Sequence, residues 1–289
     1  MSASTKEKPN TSMRDRRVKF SSTVSRRNRR RKQGIRPSLW PVAYSDFAMA
    51  SIVLAGIAFV FFDQIIAELR KQAHPAIIEL FGTITDIGES HWILIPSGLA
   101  CILLVFVNWQ GLAKRQQVWL SGFLFDAWFL FLSVAGSGII VQALKQLFGR
   151  ARPKHLETLG VEFFEPFRFE SSFTSFPSGH SVTIAALAAF LVLRFPGLKM
   201  LWILLAALIG LSRIMVGAHY LSDVIAGLAL GALFTLFLAR LFAVKSLGFT
   251  VPINAAREAN LPRRRIVRGI APLGIRDIFS LTKRLVGLS

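Results

Sequence analysis

Six stretches of apolar sequence dominate this chain of 289 residues, and most approach or exceed the roughly 18 to 20 residues needed to cross the hydrocarbon core of a bilayer. They run from about Asp46 to Ile66, Trp92 to Trp109, Val118 to Ala143, His180 to Arg194, Lys199 to Val216 and Ser222 to Ala243. With 53% apolar residues and a mean hydropathy of +0.49, they argue against a soluble two-domain protein. The expected fold is all-α: a polytopic membrane protein built as a six-transmembrane-helix bundle. The fourth stretch is short at 15 residues, and either starts before His180 or crosses with little tilt. No internal repeat is evident, and the single cysteine, Cys101, lies inside an apolar run as a small apolar residue and permits no intramolecular disulfide.

Charge fixes the expected orientation. Thirteen Lys or Arg precede Trp40, two lie between the second and third runs, two between the fourth and fifth, and ten from Arg240 onward, so 27 of the 35 fall on one side of an even-numbered bundle. The positive-inside rule then places both termini in the cytoplasm. Residues 1–40, with "RDRRVKF" and "SRRNRRRKQGIR", lack apolar periodicity and read as a disordered basic tail; residues 246–289 read as a second basic tail, and 41–245 as the membrane domain. About 45 residues precede the first run and no small-residue cleavage site comes after it, so it is expected to remain as an anchor rather than act as a cleavable signal peptide. The net charge of +19 is better matched to anionic lipid head groups, at roughly 1 kcal/mol per nearby charge, than to nucleic acid.

Six of the eight remaining basic residues gather on the outer side: Lys145, Arg150, Arg152, Lys154, Arg168 and Arg213, with Glu157, Glu162, Glu165 and Glu170 in the same loop. Three polar stretches thus open or close runs on one face: "KQLFGRARPK", "FPSGHS" and "SRIMVGAHYLSD". Lys145, Arg152 and Arg213 supply cationic donors for phosphate oxygens, arginine in bidentate form. In "PSGH" the glycine permits close backbone approach, and the Ser178 and Gly179 amides at a helix start favour an anion. His219 and Asp223, four apart, share a face if both are helical, so that the carboxylate holds one imidazole nitrogen and leaves the other as nucleophile or base. His180, from another run, takes the opposite proton role.

These motifs, K-x6-R-P, P-S-G-H and S-R-x5-H-x3-D in that order, resemble those of the type 2 phosphatidic acid phosphatase (PAP2) family, over a core from about Asp46 to Ala243. The resemblance implies that His219 attacks phosphorus and becomes a phosphohistidine, that Asp223 orients it, and that His180 protonates the departing alkoxide. It further implies that Lys145, Arg152, Ser178, Gly179 and Arg213 hold the phosphoryl oxygens, and that no metal or cofactor takes part. The resemblance also implies that the substrate is a phosphorylated membrane lipid: phosphatidylglycerophosphate, phosphatidate, undecaprenyl diphosphate or a lipid A phosphate. A lipid-to-lipid phosphotransferase and a non-catalytic anion transporter or channel are the rival readings.

Blander roles stand beside these. A His/Asp pair at four-residue spacing suits a metal, but with five histidines and no cysteine in the outer layer a zinc or two-metal site is the poorer account. A lone arginine at a helix end is usually an interfacial anchor; three at motif spacing are not. His74, His91 and His155 match no motif. Asp126, inside the third run, is expected to make a structural hydrogen bond near the inner interface. The segment from Glu68 to Trp92 is partly amphipathic and is either an outer-surface helix framing lipid entry or a linker.

Overall fold

Apolar runs of this length can satisfy their backbone in lipid as helices, and helices are what form. The computed structural model describes residues 41–108, 111–244, 247, 249–250 and 263–264. The first run gives α1 (Val42–Ile57), a π turn (Ala58–Phe62) and α2 (Asp63–Lys71). After it come α3 (Pro75–Thr85), a 3-10 turn (Asp86–Gly88), α4 (His91–Val105) and α5 (Lys114–Phe148), then α6 (Gly179–Arg194), α7 (Lys199–Met215) and α8 (Leu221–Val244). The fourth, fifth and sixth predicted runs match these helices to within one residue, the first and third extend four or five residues further at each end, to Val42–Lys71 and Lys114–Phe148, and the second stops at Val105 rather than Trp109.

Among the described residues, five stretches are long and apolar enough to cross a membrane: Val42–Lys71, Pro75–Leu104, Lys114–Phe148, Pro196–Met215 and Leu221–Val244. α6 is also apolar but has only 16 residues. It starts just before His180, because Ser178 caps the helix and Pro177 precedes the cap. A two-residue antiparallel ladder pairs Phe249–Thr250 with Arg263–Arg264. The basic tail before Trp40 and most of the stretch after Ser246 lie outside the described residues.

The most extensive helix contact is between α6 and α8, and glycines create it. A Cβ at Gly227 would stand 2.6 Å from the Ser178 carbonyl oxygen, and one at Gly231 would collide with the Val182 carbonyl. Small residues four apart let two backbones approach to contact, which is the usual basis of helix association in lipid. At one end of the bundle an aromatic core joins Phe125 and Phe129 of α5, Phe242 of α8 and Phe249, with Phe129 edge-on to Phe242 at 5.5 Å. Beside it Arg194 donates to the partly buried Asp126 at 3.3 Å, so that acid is tied to the C-terminal end of α6, as expected of a structural role. The three polar motifs occupy the opposite end.

Candidate active site

α5 ends where Gly149 adopts φ +59 and its amide bonds the Lys145 carbonyl at 2.9 Å, a left-handed glycine cap that releases the chain into the loop one turn beyond Lys145. Lys145 is nearly buried, and its Nζ lies 3.6 Å from where a Cβ on Gly179 would stand, so the cation sits beside the start of α6. Arg152 comes next in the loop. Its backbone amide donates to the Ser172 carbonyl at 2.9 Å and its Nη2 to Thr174 at 3.4 Å.

Ser178 begins α6: its hydroxyl accepts from the Ser181 amide at 3.5 Å, and its own amide donates to the Asp223 carbonyl at 3.0 Å. Motifs two and three are therefore joined through backbone, made possible by the Gly227 contact below them. His180 packs so tightly on the 3-10 turn that a Cβ at Gly88 would meet the His180 Cβ at 3.0 Å. His180 interacts through space with Arg213, His219, Lys145 and Arg152, so the structure brings the predicted imidazoles and cations into one neighbourhood.

α7 ends at Met215. Arg70 donates from Nε and Nη2 to the Met215 and Val216 carbonyls at 3.0 and 3.2 Å, and Gly217, at φ +71, turns the chain toward His219. Here the geometry departs from the predicted helical face. His219 precedes α8, and its Nδ1 donates to the Ser175 carbonyl at 2.7 Å, while the Asp223 carboxylate stands 3.7 Å away. The reason is that Asp223, in the first turn of α8, reaches back to accept from the Tyr220 amide at 2.9 Å, as capping side chains do, and from Ser175 Oγ at 2.6 Å. A carbonyl can only accept, so Nδ1 carries the proton and Nε2 the lone pair.

Burial draws the His219 imidazole down to about 4, against the opposing pull of the Asp223 carboxylate. The neutral form is then favoured throughout the physiological range. A 15N NMR titration of the histidine-labelled protein is expected to show His219 as the neutral Nδ1–H tautomer from pH 8 to about 5. A transition near the ordinary imidazole value would contradict this.

Several site residues had no signal in sequence. Arg213 Nη1 donates to Thr85 Oγ at 2.7 Å, so the segment between the first two runs contributes directly to the site. Arg150, grouped in sequence with the outer basic cluster, is fully buried between Asp63 and Asp223, at 2.8 and 2.6 Å. Among the described residues, Arg152 Nε and Arg213 Nε are buried without an acceptor. Unpaired buried donors on two cations are suited to an anion. Burial lowers the basicity of Arg152, with Asp223 opposing, yet a guanidinium stays charged under all ordinary conditions.

An apolar helical bundle that gathers two imidazoles and three near-buried cations at one end defines a polytopic membrane phosphatase. The PAP2 superfamily model matches residues 126–246. Over 232 residues the sequence is 37% identical to lipid A 1-phosphatase of Rhizobium johnstonii, covering 78% of this chain and 89% of that one. Over 170 residues it is 32% identical to phosphatidylglycerophosphatase B of Bacillus subtilis, covering 55% and 72%. The crystal structure of a transmembrane PAP2-type phosphatidylglycerolphosphate phosphatase from Bacillus subtilis aligns with a TM-score of 0.47 at 25% identity, covering 70% of this chain and 94% of that one. The chain belongs to the PAP2 superfamily and is a membrane lipid phosphatase.

Proposed function

We propose that the chain removes phosphate from a membrane lipid at the outer, periplasmic face of a bacterial inner membrane, with both termini cytoplasmic. Of the four lipid classes, a lipid A 1-phosphate is the preferred substrate, supported by the similarity to lipid A 1-phosphatase across most of that protein's length. The basic tails lie on anionic head groups, and nucleic acid has no role.

One observation carries the chemistry: the Ser175 carbonyl holds the His219 Nδ1 proton and so leaves Nε2 free for attack. In the first step Nε2 bonds to phosphorus, the bond from phosphorus to the lipid oxygen breaks, and His180 gives that oxygen its proton. In the second, water attacks the phosphohistidine and passes a proton to His180. Inorganic phosphate leaves and both imidazoles return to their starting states. Lys145, Arg152, Arg213 and the Gly179 amide hold the non-bridging oxygens as charge builds, the electrostatic contribution on which phosphoryl transfer chiefly depends, whereas the Ser178 amide, expected from the motif to share this role, is spent on the Asp223 carbonyl. No step passes through a metal.

The test is phosphate release by the purified protein in excess EDTA from lipid A 1-phosphate, phosphatidylglycerophosphate, phosphatidate and undecaprenyl diphosphate. The expected result is the highest kcat/KM on lipid A 1-phosphate, with vanadate inhibiting. A strict divalent-metal requirement would sink the mechanism, and a preference for another lipid would sink the substrate assignment.

A further inference from the structure

We propose that Asp63 and Arg150 are positioning residues of the phosphatase, a buried relay from the first helical run that holds His219 in its attacking orientation through Asp223 and Ser175. The inference rests on the reading of His219 as nucleophile.

The relay is continuous. Arg150 Nη2 donates to Asp63 Oδ2 at 2.8 Å, and Nη1 donates to Asp223 Oδ1 at 2.6 Å and to Ser222 Oγ at 2.7 Å. Nη2 and Nε also donate to the Val161 carbonyl, at 3.1 and 3.3 Å. Asp63 in turn accepts from the Ser222 amide at 2.9 Å and from the Ser222 hydroxyl. On the far side of Asp223, Ser175 Oγ donates to Oδ2 at 2.6 Å, and the carbonyl of the same serine accepts from His219 Nδ1 at 2.7 Å. Arg150 holds that serine by a second route, since the Ser175 amide donates to the Arg150 carbonyl at 3.0 Å. The group that orients the nucleophile is therefore fixed by Arg150 twice, once through backbone and once through Asp223.

Its placement is a product of local structure. The π turn Ala58–Phe62 adds a residue to the helical ladder and rotates α2 relative to α1, and Asp63 emerges buried rather than facing lipid. The Arg150 guanidinium lies over the rings of Tyr220 at 4.3 Å and Phe59 at 4.9 Å, which keep water from the ion pairs.

Charge gives the relay a function beyond packing. Two buried carboxylates share one guanidinium, so the cluster carries one surplus negative charge close to His219. As Nε2 bonds to phosphorus while Nδ1 keeps its proton, the ring becomes cationic, and that surplus stabilises the charge where it develops. Simple fold-stabilising glue would not need the imbalance: a buried pair of equal charge, or an apolar pair of similar volume, packs as well.

The experiment is rapid-quench measurement of phosphohistidine formation in Asp63→Asn, which removes the charge with little change of volume, and in Arg150→Lys, which keeps the charge but loses the planar fork that bridges Asp63 and Asp223. The reference for both is the number of vanadate-binding sites per chain. Each variant is expected to form phosphoenzyme about tenfold or more slowly per titrated site, with KM within about twofold of the parent, because misplacement of a reacting group is felt in the chemical step. An unchanged rate per titrated site would overturn the proposal. So would variants that lose vanadate sites in proportion to activity, since that marks a purely structural role. If the parent protein forms no phosphohistidine, or His219→Ala still forms it, the underlying assignment of His219 fails instead.

Discussion

His219→Ala is expected to lower kcat by about 10^4-fold or more, while the variant remains inserted and continues to bind vanadate through its cations. The magnitude reflects the two-step route. Without Nε2 there is no phosphoenzyme, and water must attack the ester directly, assisted only by the cradle. Lys145, Arg152 and Arg213 approach the site from α5, the loop after it and α7, so truncating His219 leaves their placement intact. Vanadate binding with no turnover is therefore the predicted signature. Turnover within tenfold of the parent would remove His219 as nucleophile.

The second large effect separates proton transfer from nucleophilic attack. His180→Asn is expected to lower kcat on the lipid ester by about 10^2- to 10^4-fold, the usual contribution of a positioned general acid. Replacing the lipid alkoxide by a nitrophenolate leaving group, which departs without a proton, should reduce that loss to about tenfold or less in the first step. An equal loss on both substrates would mean that His180 acts by packing against the Gly88 turn rather than by donating a proton.

The spans and the three polar motifs were legible because both are written in local terms. A bilayer demands long apolar runs, and helix starts and ends fall within a few residues of the runs themselves. The motif residues Lys145, Ser178, His180 and His219 carry fixed spacings. What was not legible was which groups outside the predicted roles contact the motif residues. Asp63 reads in sequence as an acid near the end of a span, and only the π turn makes it inward-facing. Arg150 reads as one more cation in "KQLFGRARPK", although its guanidinium lies in a cage of two carboxylates. Thr85 and Gly88 belong to a segment with no motif, yet one accepts from Arg213 and the other leaves room for His180. The partner that orients His219 could not be read from residue type at all, because it is the backbone carbonyl of Ser175. The four-residue spacing suggested a direct His219–Asp223 hydrogen bond; Asp223 is instead engaged by Arg150, Ser175 and the Tyr220 amide.

The brevity of α6 has a consequence for how a lipid meets this enzyme. At 1.5 Å per residue its 16 residues span about 24 Å, some 6 Å less than a hydrocarbon core of about 30 Å. On the proposed topology its C-terminal end, where Arg194 pairs with Asp126, lies at the inner interface, so the shortfall falls at the other end and leaves the PSGH turn below the head-group plane. A lipid can then present its phosphate while its chains stay immersed, sparing the cost of about 0.8 kcal/mol for each methylene lifted into water.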